Sequence, residues 1–385
     1  MDNEIYFDIR TIMKKFIKHN YWQAYTAADI FYFHNMRNKR DAFLTFIDSF
    51  YGDSFGLQLF NNRDGFNYVH DIFTASSPDQ MMIADCDSIC PVFVSADNLT
   101  VEERDYLRKR GLRVKPENNL IIYRFKRGYD KVMASKRDER EVFKYIEFLD
   151  SLLRNDKKII DEAFKLEYTA YCDIDFKDYE YNLIPRPLPF LEKSFKNEPI
   201  NEGIYEELRD KLFVNDEALL FTAYLPFYVD DLEHRERIRP LGVYLVYPSL
   251  DKIYFSYIID NPKGYSEKLW TIIYDAFMAI GKPAGLICNA RDVYACLKNT
   301  AAPLNIELKR DKNEYLKHSG LHSLLARFYQ EELLEASLSN NDALELLEAY
   351  KETVNSMNYS ESELDSYEDE AIEEGNDDNS STLVS

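Results

Sequence analysis

Residues 241–310 constrain the fold most, because strand, turn and helix signals agree along this stretch. Two runs rich in β-branched and aromatic residues, Leu241–Tyr247 and Lys252–Ile259, flank a turn-forming tetrapeptide that begins with Pro248. A helix is predicted over 265–280, because its apolar residues recur about every 3.6 positions and share one face. The elements predicted after it are a strand at 285–288, a helix at 291–300 and a strand at 305–309. The stretch therefore predicts an α/β core built on a mixed sheet.

The length of 385 residues predicts two domains rather than one. The first is expected to be an α+β domain and the second a mixed-sheet α/β domain. Three prolines in five positions, Pro185, Pro187 and Pro189, indicate a stiff, extended connector between them. The predicted segments are an α+β domain at 1–154, a connector at 155–201, an α/β domain at 202–336, a C-terminal helix at 337–358 and a disordered acidic tail at 359–385.

Composition excludes several classes of protein. Only 12 glycines occur, which argues against a glycine-rich nucleotide-binding architecture. The net charge of −21 is concentrated after residue 330, where 17 acidic residues face one lysine, so the remaining chain carries only −5. Five cysteines are too few for a disulfide framework, and no apolar run approaches the roughly 20 residues of a membrane span. The first residues also lack a secretory signal, so a reduced cytoplasm is the expected location.

Secondary-structure signals in the N-terminal half are shorter and less regular. A capping-box pattern, Thr100 to Glu103, predicts a helix that ends at Gly111. The other predicted helices are 8–33 and 137–153, and the predicted strands are 42–47, 57–60, 91–95 and 120–125, with a turn at 61–65. Within the connector, 163–176 is predicted to form a strand pair or ribbon.

Three segments carry a resemblance to a known group of proteins. The segments YWQAYTAADIFY, YGDSFGLQLFNNRDGFNYV and LTVEERDYLRKRGLRV resemble uncharacterised bacterial two-domain proteins known only as domains of unknown function. The second half, with RPLGVYLVYPSLDKIYFSYI, looks like the other domain of that family. The family has Leu-Gly-Leu after a charged helix, where this chain has Arg110-Gly111-Leu112. The resemblance implies a fold and a bacterial origin, and it brings no activity.

The predicted element order of the second half, β-β-β-α-β-α-β-α, is similar to the ribonuclease-H-like fold. That resemblance implies a two-metal site for phosphodiester hydrolysis, with carboxylates on the first strand, the fourth strand and two helices. Here the first strand, 218–224, contains no acid, and the fourth ends in Cys288-Asn289, with Asp292 following. Glu267 or Asp275 would represent the carboxylate of the first helix. The interpretations are a degenerate scaffold, which the missing acids favour, or a divergent active site.

Two pairs of residues have the spacing of metal ligands. His318 and His322 are four residues apart on a predicted helix, which permits binding of one metal ion. Ser319 stands where a zinc protease has Glu, so exposed helix histidines are the favoured interpretation. Cys86 and Cys90 lack a second pair to complete a zinc site, and buried thiols are expected.

Two basic segments are candidate binding surfaces. The cluster at 234–239 could contact a phosphate or an acidic peptide, although a solvated loop with paired charges is the simpler expectation. The densest basic segment is 104–115, where Glu102, Glu103 and Asp105 offset the charge and a solvated helix face is expected. The sequence contains no Gly-x-Ser-x-Gly, Walker or Gly-x-Gly-x-x-Gly motif.

The sequence thus favours a non-catalytic binding or regulatory protein of the bacterial cytoplasm. The alternative is a divergent metal-dependent phosphodiesterase or nuclease on a ribonuclease-H-like scaffold. Another protein is the expected partner; nucleic acid is a weaker candidate, and no membrane, cofactor, metal site or catalytic residue is predicted. The residues predicted to form the contact surface are His234, Arg235, Arg237, Arg239, Asn289 and Asp292.

Overall fold

A computed structural model shows how the chain folds. The residues that it describes are 4–47, 55–74, 86–189, 202–211, 213–231, 236–247, 252–260, 265–311 and a few single positions up to 351. The chain divides into two compact units, Met1–Lys193 and Ser194–Ser385. Within the described ranges, every helix is too short or too polar to cross a membrane.

The first unit contains helices on a large, mostly antiparallel sheet. Its helices are α1 (Glu4–Lys18), α2 (Tyr21–Ala24), α3 (Arg63–Thr74), α4 (Val101–Lys109), α5 (Lys136–Asn155) and α6 (Lys157–Lys165). Its strands are β1 (Phe31–Asn35), β2 (Arg40–Ile47), β3 (Gly56–Phe60), β4 (Ser88–Val94), β5 (Asn119–Phe125), β6 (Val132–Met133), β7 (Thr169–Asp175) and β8 (Glu180–Arg186). They are ordered β6-β5-β4-β3-β2-β1-β7-β8, and β1 pairs with β7 in parallel.

The two faces of this sheet are covered by different helices. Phe31 and Phe33 of β1 enter a core shared with α1, α4, α5 and α6, whereas Tyr32 enters a second core with α3. This alternation is expected of a strand, because successive side chains point to opposite faces. The helices that cover the first face are amphipathic; on α1, for example, Ile9 and Met13 are fully buried.

Several predicted elements of the first unit are confirmed. The capping box exists, with the Thr100 side chain accepting from the Glu103 N–H and the Glu103 carboxylate accepting from the Thr100 N–H, at the start of α4. The helix predicted at 137–153 is α5, which extends to residues 136–155. Ser135 caps α5 in the same reciprocal way, together with Asp138.

Three predictions for the first unit are wrong. The helix predicted over 8–33 ends at Lys18, because Asn20 adopts a left-handed conformation (φ 55°) and β1 follows. The turn predicted at 61–65 is the start of α3, where the Asn62 side chain accepts from the Gly65 N–H. The predicted connector is also corrected, because residues 157–186 form α6, β7 and β8 of the first unit.

The second unit has a five-stranded mixed sheet and a small hairpin. Between residues 202 and 311 the structure describes the helices α7 (Glu202–Asp210), α8 (Tyr265–Ile280) and α9 (Arg291–Ala301). Its strands are β9 (Phe213–Tyr224), β10 (Val229–Asp231), β11 (Glu236–Ile238), β12 (Leu241–Tyr247), β13 (Lys252–Ile259), β14 (Lys282–Cys288) and β15 (Glu307–Arg310). The sheet order is β13-β12-β9-β14-β15, and among the described strands β10 pairs only with β11.

Strand direction differs between the two halves of this sheet. β12 is antiparallel to both β9 and β13, whereas β14 is parallel to both β9 and β15. The buried face of α8, including Leu269, Ile273 and Phe277, is the apolar stripe that the sequence predicts. The strands predicted at 241–247 and 252–259 are confirmed at the same bounds. The predicted fold class, α+β and α/β with a mixed sheet, is confirmed.

Predictions for the C-terminal part fall largely outside the described residues. His318, His322 and the tail at 359–385 lie there, and so do His234 and Arg235. Of the predicted helix at 337–358, only positions 344–345, 347–349 and 351 are described, and they are helical.

Candidate functional site

The carboxyl ends of β9 and β14 form the strongest candidate site in the second unit. These parallel neighbours lie where the strand order reverses, since the chain continues from β9 to β12 on one side and from β14 to β15 on the other. Open α/β sheets bind ligands at such switch points, outside the carboxyl ends of the strands. We call this region the sheet end; it contains Asn289 and Asp292, which the sequence singled out.

Asn289 joins the two strands at the sheet end. Its Oδ1 accepts from the N–H of Thr222 at 2.9 Å, and its Nδ2 donates to the carbonyl oxygen of Thr222 at 2.8 Å. The amide therefore extends the β9–β14 ladder beyond Cys288, the last residue of β14 that pairs with β9. Donor and acceptor are both needed for this geometry; asparagine supplies both at neutral pH, whereas an ionised aspartate of the same length only accepts.

Asp292 lies one turn further, in the first turn of α9, and is 7% exposed. One carboxylate oxygen accepts from the hydroxyl of Tyr265, at the start of α8, and the other accepts from the N–H of Val293 at 3.0 Å. Burial, and secondarily the Asp292 charge, raises the pKa of the Cys288 thiol well above its usual range. The carboxylate thus connects α8 to α9 by hydrogen bonds, and its charge acts on Cys288 at the end of β14.

The arginines of the predicted cluster belong to the hairpin β10–β11, which extends from the β9–β12 end of the sheet. Arg237 is half-exposed and forms an ion pair with Asp230 across the hairpin, with 3.4 Å between Nε and Oδ1. The guanidinium carbons of Arg237 and Arg239 lie 5.4 and 4.5 Å from the ring centre of Tyr228. Arg239 is 8% exposed, so its guanidinium stabilises the hairpin base by cation–π contact. Arg237 is therefore the cation of this pair that solvent reaches.

The structure thus brings the described part of the predicted surface to one end of one sheet. Arg237 and Arg239 come from the β9–β12 side, and Asn289 and Asp292 come from the β14–α9 side. Asp275, a proposed acid of the first helix, is exposed on α8, and the side chain of Glu267 is outside the described set. Among the described residues, no three His, Cys, Asp or Glu side chains converge as a metal ion requires.

The partners that hold these residues in place were not predicted from the sequence. Thr222 contributes its backbone, which no side-chain pattern reveals. Tyr265 is 27 positions from Asp292 and precedes the apolar stripe of α8, so nothing local links the two. Tyr228 had a usable signal, because an aromatic residue beside an arginine-rich hairpin predicts cation–π stacking.

The other described candidate residues from the sequence are buried or bonded within the first unit. Cys86 and Cys90 are buried free thiols, as expected, and burial raises the pKa of Cys86 to about 12. In the basic segment 104–115, Arg104 donates to the carbonyl oxygens of Leu99 and Ala96. Arg110 pairs with the buried Glu139 and lies 3.5 Å above the Tyr106 ring centre. This segment is therefore more integrated into the fold than the expected solvated helix face.

Comparison with known proteins adds one match. The family described as Domain of unknown function (DUF7309) matches residues 8–169, which lie in the first unit from α1 to the beginning of β7. The chain is thus similar, over this region, to an uncharacterised domain family. No curated protein and no solved structure matches the chain.

Proposed function

We propose that this chain is a non-catalytic binding or regulatory protein, and that the sheet end of the second unit is its contact surface. The observation that carries the proposal is the double hydrogen bond between Asn289 and Thr222. It puts a neutral amide, bound through both its oxygen and its nitrogen to the backbone of Thr222, at the switch point where an α/β enzyme presents reactive or metal-binding groups. The half-exposed Arg237 supplies charge at the rim for a partner.

The scaffold we propose is a degenerate ribonuclease-H-like fold. Support comes from the chain order β-β-β-α-β-α-β, interrupted only by the hairpin β10–β11 in the described ranges. Further support comes from β14 and β15, which run parallel to the first strand while the second runs antiparallel. We extend the resemblance to an uncharacterised two-domain family of bacterial origin, with a cytoplasmic location.

A divergent phosphodiesterase or nuclease is the second candidate, favoured by the same strand order and by Asp292 at the sheet end. Its chemistry requires carboxylates that share a pair of divalent ions. The hydroxyl of Tyr265 and the N–H of Val293 already occupy the Asp292 carboxylate. A metal ion at Asp292 would have to displace the tyrosine, and Asn289 would have to break its bonds to Thr222. Because both rearrangements cost free energy, binding of a partner is the favoured function.

The proposed partner is another protein that presents an acidic segment. Arg237 is suited to this role, because a guanidinium forms paired hydrogen bonds with a carboxylate. Its existing contacts with Asp230 and Tyr228 hold it at the sheet end without burying it. Reversing a charge at such a rim sets like charges against each other and slows association with an acidic partner, so one charge reversal should be detectable.

The test compares two charge-reversal variants of the full chain in affinity capture from cells of the source organism. Arg237→Glu alters the sheet end. Arg209→Glu is the matched control, since Arg209 is half-exposed and its carbonyl oxygen accepts from Lys282 at the opposite end of β14. Proteins that are retained by the wild type and by Arg209→Glu, and lost with Arg237→Glu, are the expected result. Identical capture by all three chains would contradict the proposal.

The enzymatic alternative is tested separately with labelled RNA, single-stranded DNA and duplex DNA in Mg²⁺ or Mn²⁺. We expect no difference between the wild type and Asp292→Asn. Metal-dependent hydrolysis that disappears in Asp292→Asn would establish the nuclease instead.

A further inference from the structure

A group of positive charges lies where α1 meets the segment that leads into β5. Arg10 and Lys14 are one turn apart on α1, a spacing that puts their Cβ atoms about 6 Å apart. Lys115 belongs to the segment, and the Asn119 side chain fixes its backbone by accepting from its N–H at 2.8 Å and donating to its carbonyl oxygen at 2.7 Å. We call Arg10, Lys14 and Lys115 the basic cluster.

The packing of α1 brings these charges together. The hydroxyl of Tyr6 donates to the carbonyl oxygen of Leu120 at 2.6 Å, which attaches α1 to the start of β5. The pKa of Lys14 is lowered by partial burial and then by the positive charges of Arg10 and Lys115. The lowered pKa of Lys14 and the attachment of α1 to β5 thus both indicate that the three cations are neighbours.

Within the described part of the chain, none of the three cations has a carboxylate within ion-pair distance. The Nε of Arg10 is shielded from solvent and has no hydrogen-bond acceptor there. Other cations nearby do have a counter-charge: Lys15 pairs with Asp150, and Arg110 pairs with Glu139. In a chain with 68 acidic residues against 47 basic ones, three clustered cations without a counter-charge indicate an external anion.

An aromatic ring adjoins the basic cluster. Phe7 is 39% exposed, and it precedes Arg10 by three positions and Lys14 by seven, which puts all three on one side of α1. Exposed aromatic rings beside a row of cations are typical of surfaces that bind single-stranded nucleic acid, where bases stack on the ring and cations neutralise the backbone. From Phe7 to Lys14 the helix rises about 10 Å, enough for about three nucleotides of one strand.

We propose that the basic cluster and Phe7 form a binding site for single-stranded nucleic acid on the first unit. Arg10, Lys14 and Lys115 contact successive phosphates, and Phe7 stacks on one base. Nothing in this arrangement reads base edges, so binding has little sequence preference. The site is independent of the sheet end, and neither result at one decides the other.

The test is fluorescence anisotropy of the full chain with labelled 12-nucleotide oligo-dT and oligo-U between 50 and 200 mM KCl. Three phosphate contacts predict a slope of log affinity against log salt of about −2, or an affinity loss of about 20-fold over this range. Lys14→Gln and Lys115→Gln should each make the slope shallower by about 0.7. Lys158→Gln, an exposed lysine on α6, is the matched control and should leave the slope unchanged.

Phe7→Ala separates stacking from charge. It should weaken binding by about 5-fold or more and leave the salt slope unchanged. Melting temperatures exclude misfolding as a cause; Lys14→Gln in particular should not lower the melting temperature, because it removes repulsion between like charges.

Three outcomes would overturn the proposal. The first is no binding of the oligonucleotides at 50 mM KCl. The second is an affinity and a salt slope that stay unchanged in Lys14→Gln and Lys115→Gln. The third is efficient displacement of the labelled strand by tripolyphosphate, combined with unchanged strand binding by Phe7→Ala. That result would identify a free oligophosphate as the ligand.

Discussion

Replacing Asn289 by alanine tests whether its side chain holds β14 to β9. The substitution removes both hydrogen bonds to Thr222, at 2.9 and 2.8 Å, and leaves a backbone N–H and a carbonyl oxygen without their partner. Thr222 is 8% exposed, so water replaces the lost bonds only in part. At about 1–3 kcal/mol for each of the two abandoned groups, the second unit should lose about 2–6 kcal/mol of unfolding free energy.

The assay uses the two tryptophans of the chain, one in each unit. Trp22 lies in the first unit and is exposed, whereas Trp270 is buried in α8. In a Trp22→Phe background, tryptophan fluorescence during urea unfolding reports the second unit alone, which matters because the two units need not unfold together. Asn299→Ala, an exposed asparagine on α9, is the matched control and should change stability by less than about 0.5 kcal/mol.

Asn289→Asp sharpens the test, because it keeps the acceptor and removes the donor. At neutral pH the new carboxylate faces the carbonyl oxygen of Thr222, so the folded protein disfavours its charged form and its pKa is raised. The destabilisation should therefore be present at pH 7 and should decrease as the pH falls toward about 4, where the protonated acid donates again. Wild-type stability for Asn289→Asp at pH 7, or a gain in Mg²⁺, would refute this reasoning and indicate a metal-binding position.

Three further predictions concern the first unit. Arg110→Met leaves Glu139 buried without its main partner and should destabilise this unit by about 3–5 kcal/mol in thermal unfolding; a loss below about 1 kcal/mol would contradict the ion pair. Burial and the hydrogen bond to Asp173 raise the pKa of Tyr171 to about 12, so its contribution to stability is complete below pH 10 and lost as the pH rises toward 12. Tyr171→Phe should therefore flatten the alkaline decline, and an unchanged profile would count against this environment. Because burial raises the pKa of Cys86 to about 12, thiol reagents at pH 8 should modify it only at the rate of unfolding, and rapid modification of native protein would contradict its burial.

Elements with an unambiguous local signal were predictable from the sequence. The apolar stripe of α8 has the period of a helix, and the β-branched and aromatic residues of β12 favour a strand. The capping box at Thr100 and Glu103 fixes the start of α4. In each case residues close in sequence carry the whole signal. Their bounds agree with the structure within about two residues.

Failures arose where one local pattern fits two structures. Asn62 and Gly65 are turn residues, but the same pair caps a helix, and the structure uses them to start α3. The strand predicted at 285–288 begins earlier, at Lys282, because β14 continues through Pro283 with a register shift beside the proline.

Pairing between strands or side chains far apart in the chain could not be predicted from the sequence. β7 is inserted next to β1, although Phe31 and its partner Ala170 are far apart in the chain. The sequence therefore predicts a connector at 155–201, of which residues 157–186 belong to the first unit. The same limit applies to the sheet end, where Asn289 and Asp292 were found but Thr222 and Tyr265 were not. A side chain can be suspected from its type, whereas its partner depends on the fold.

The central claim is that the sheet end binds a partner protein and holds no metal ion. Its most direct test is a Mn²⁺ titration followed by calorimetry. The full-length wild type and Asp292→Asn are compared at equal concentration. Because the hydroxyl of Tyr265 and the N–H of Val293 hold the Asp292 carboxylate and Thr222 holds Asn289, we expect the two titrations to be indistinguishable. Stoichiometric Mn²⁺ binding by the wild type that is lost in Asp292→Asn would contradict the claim and place a metal centre at the sheet end.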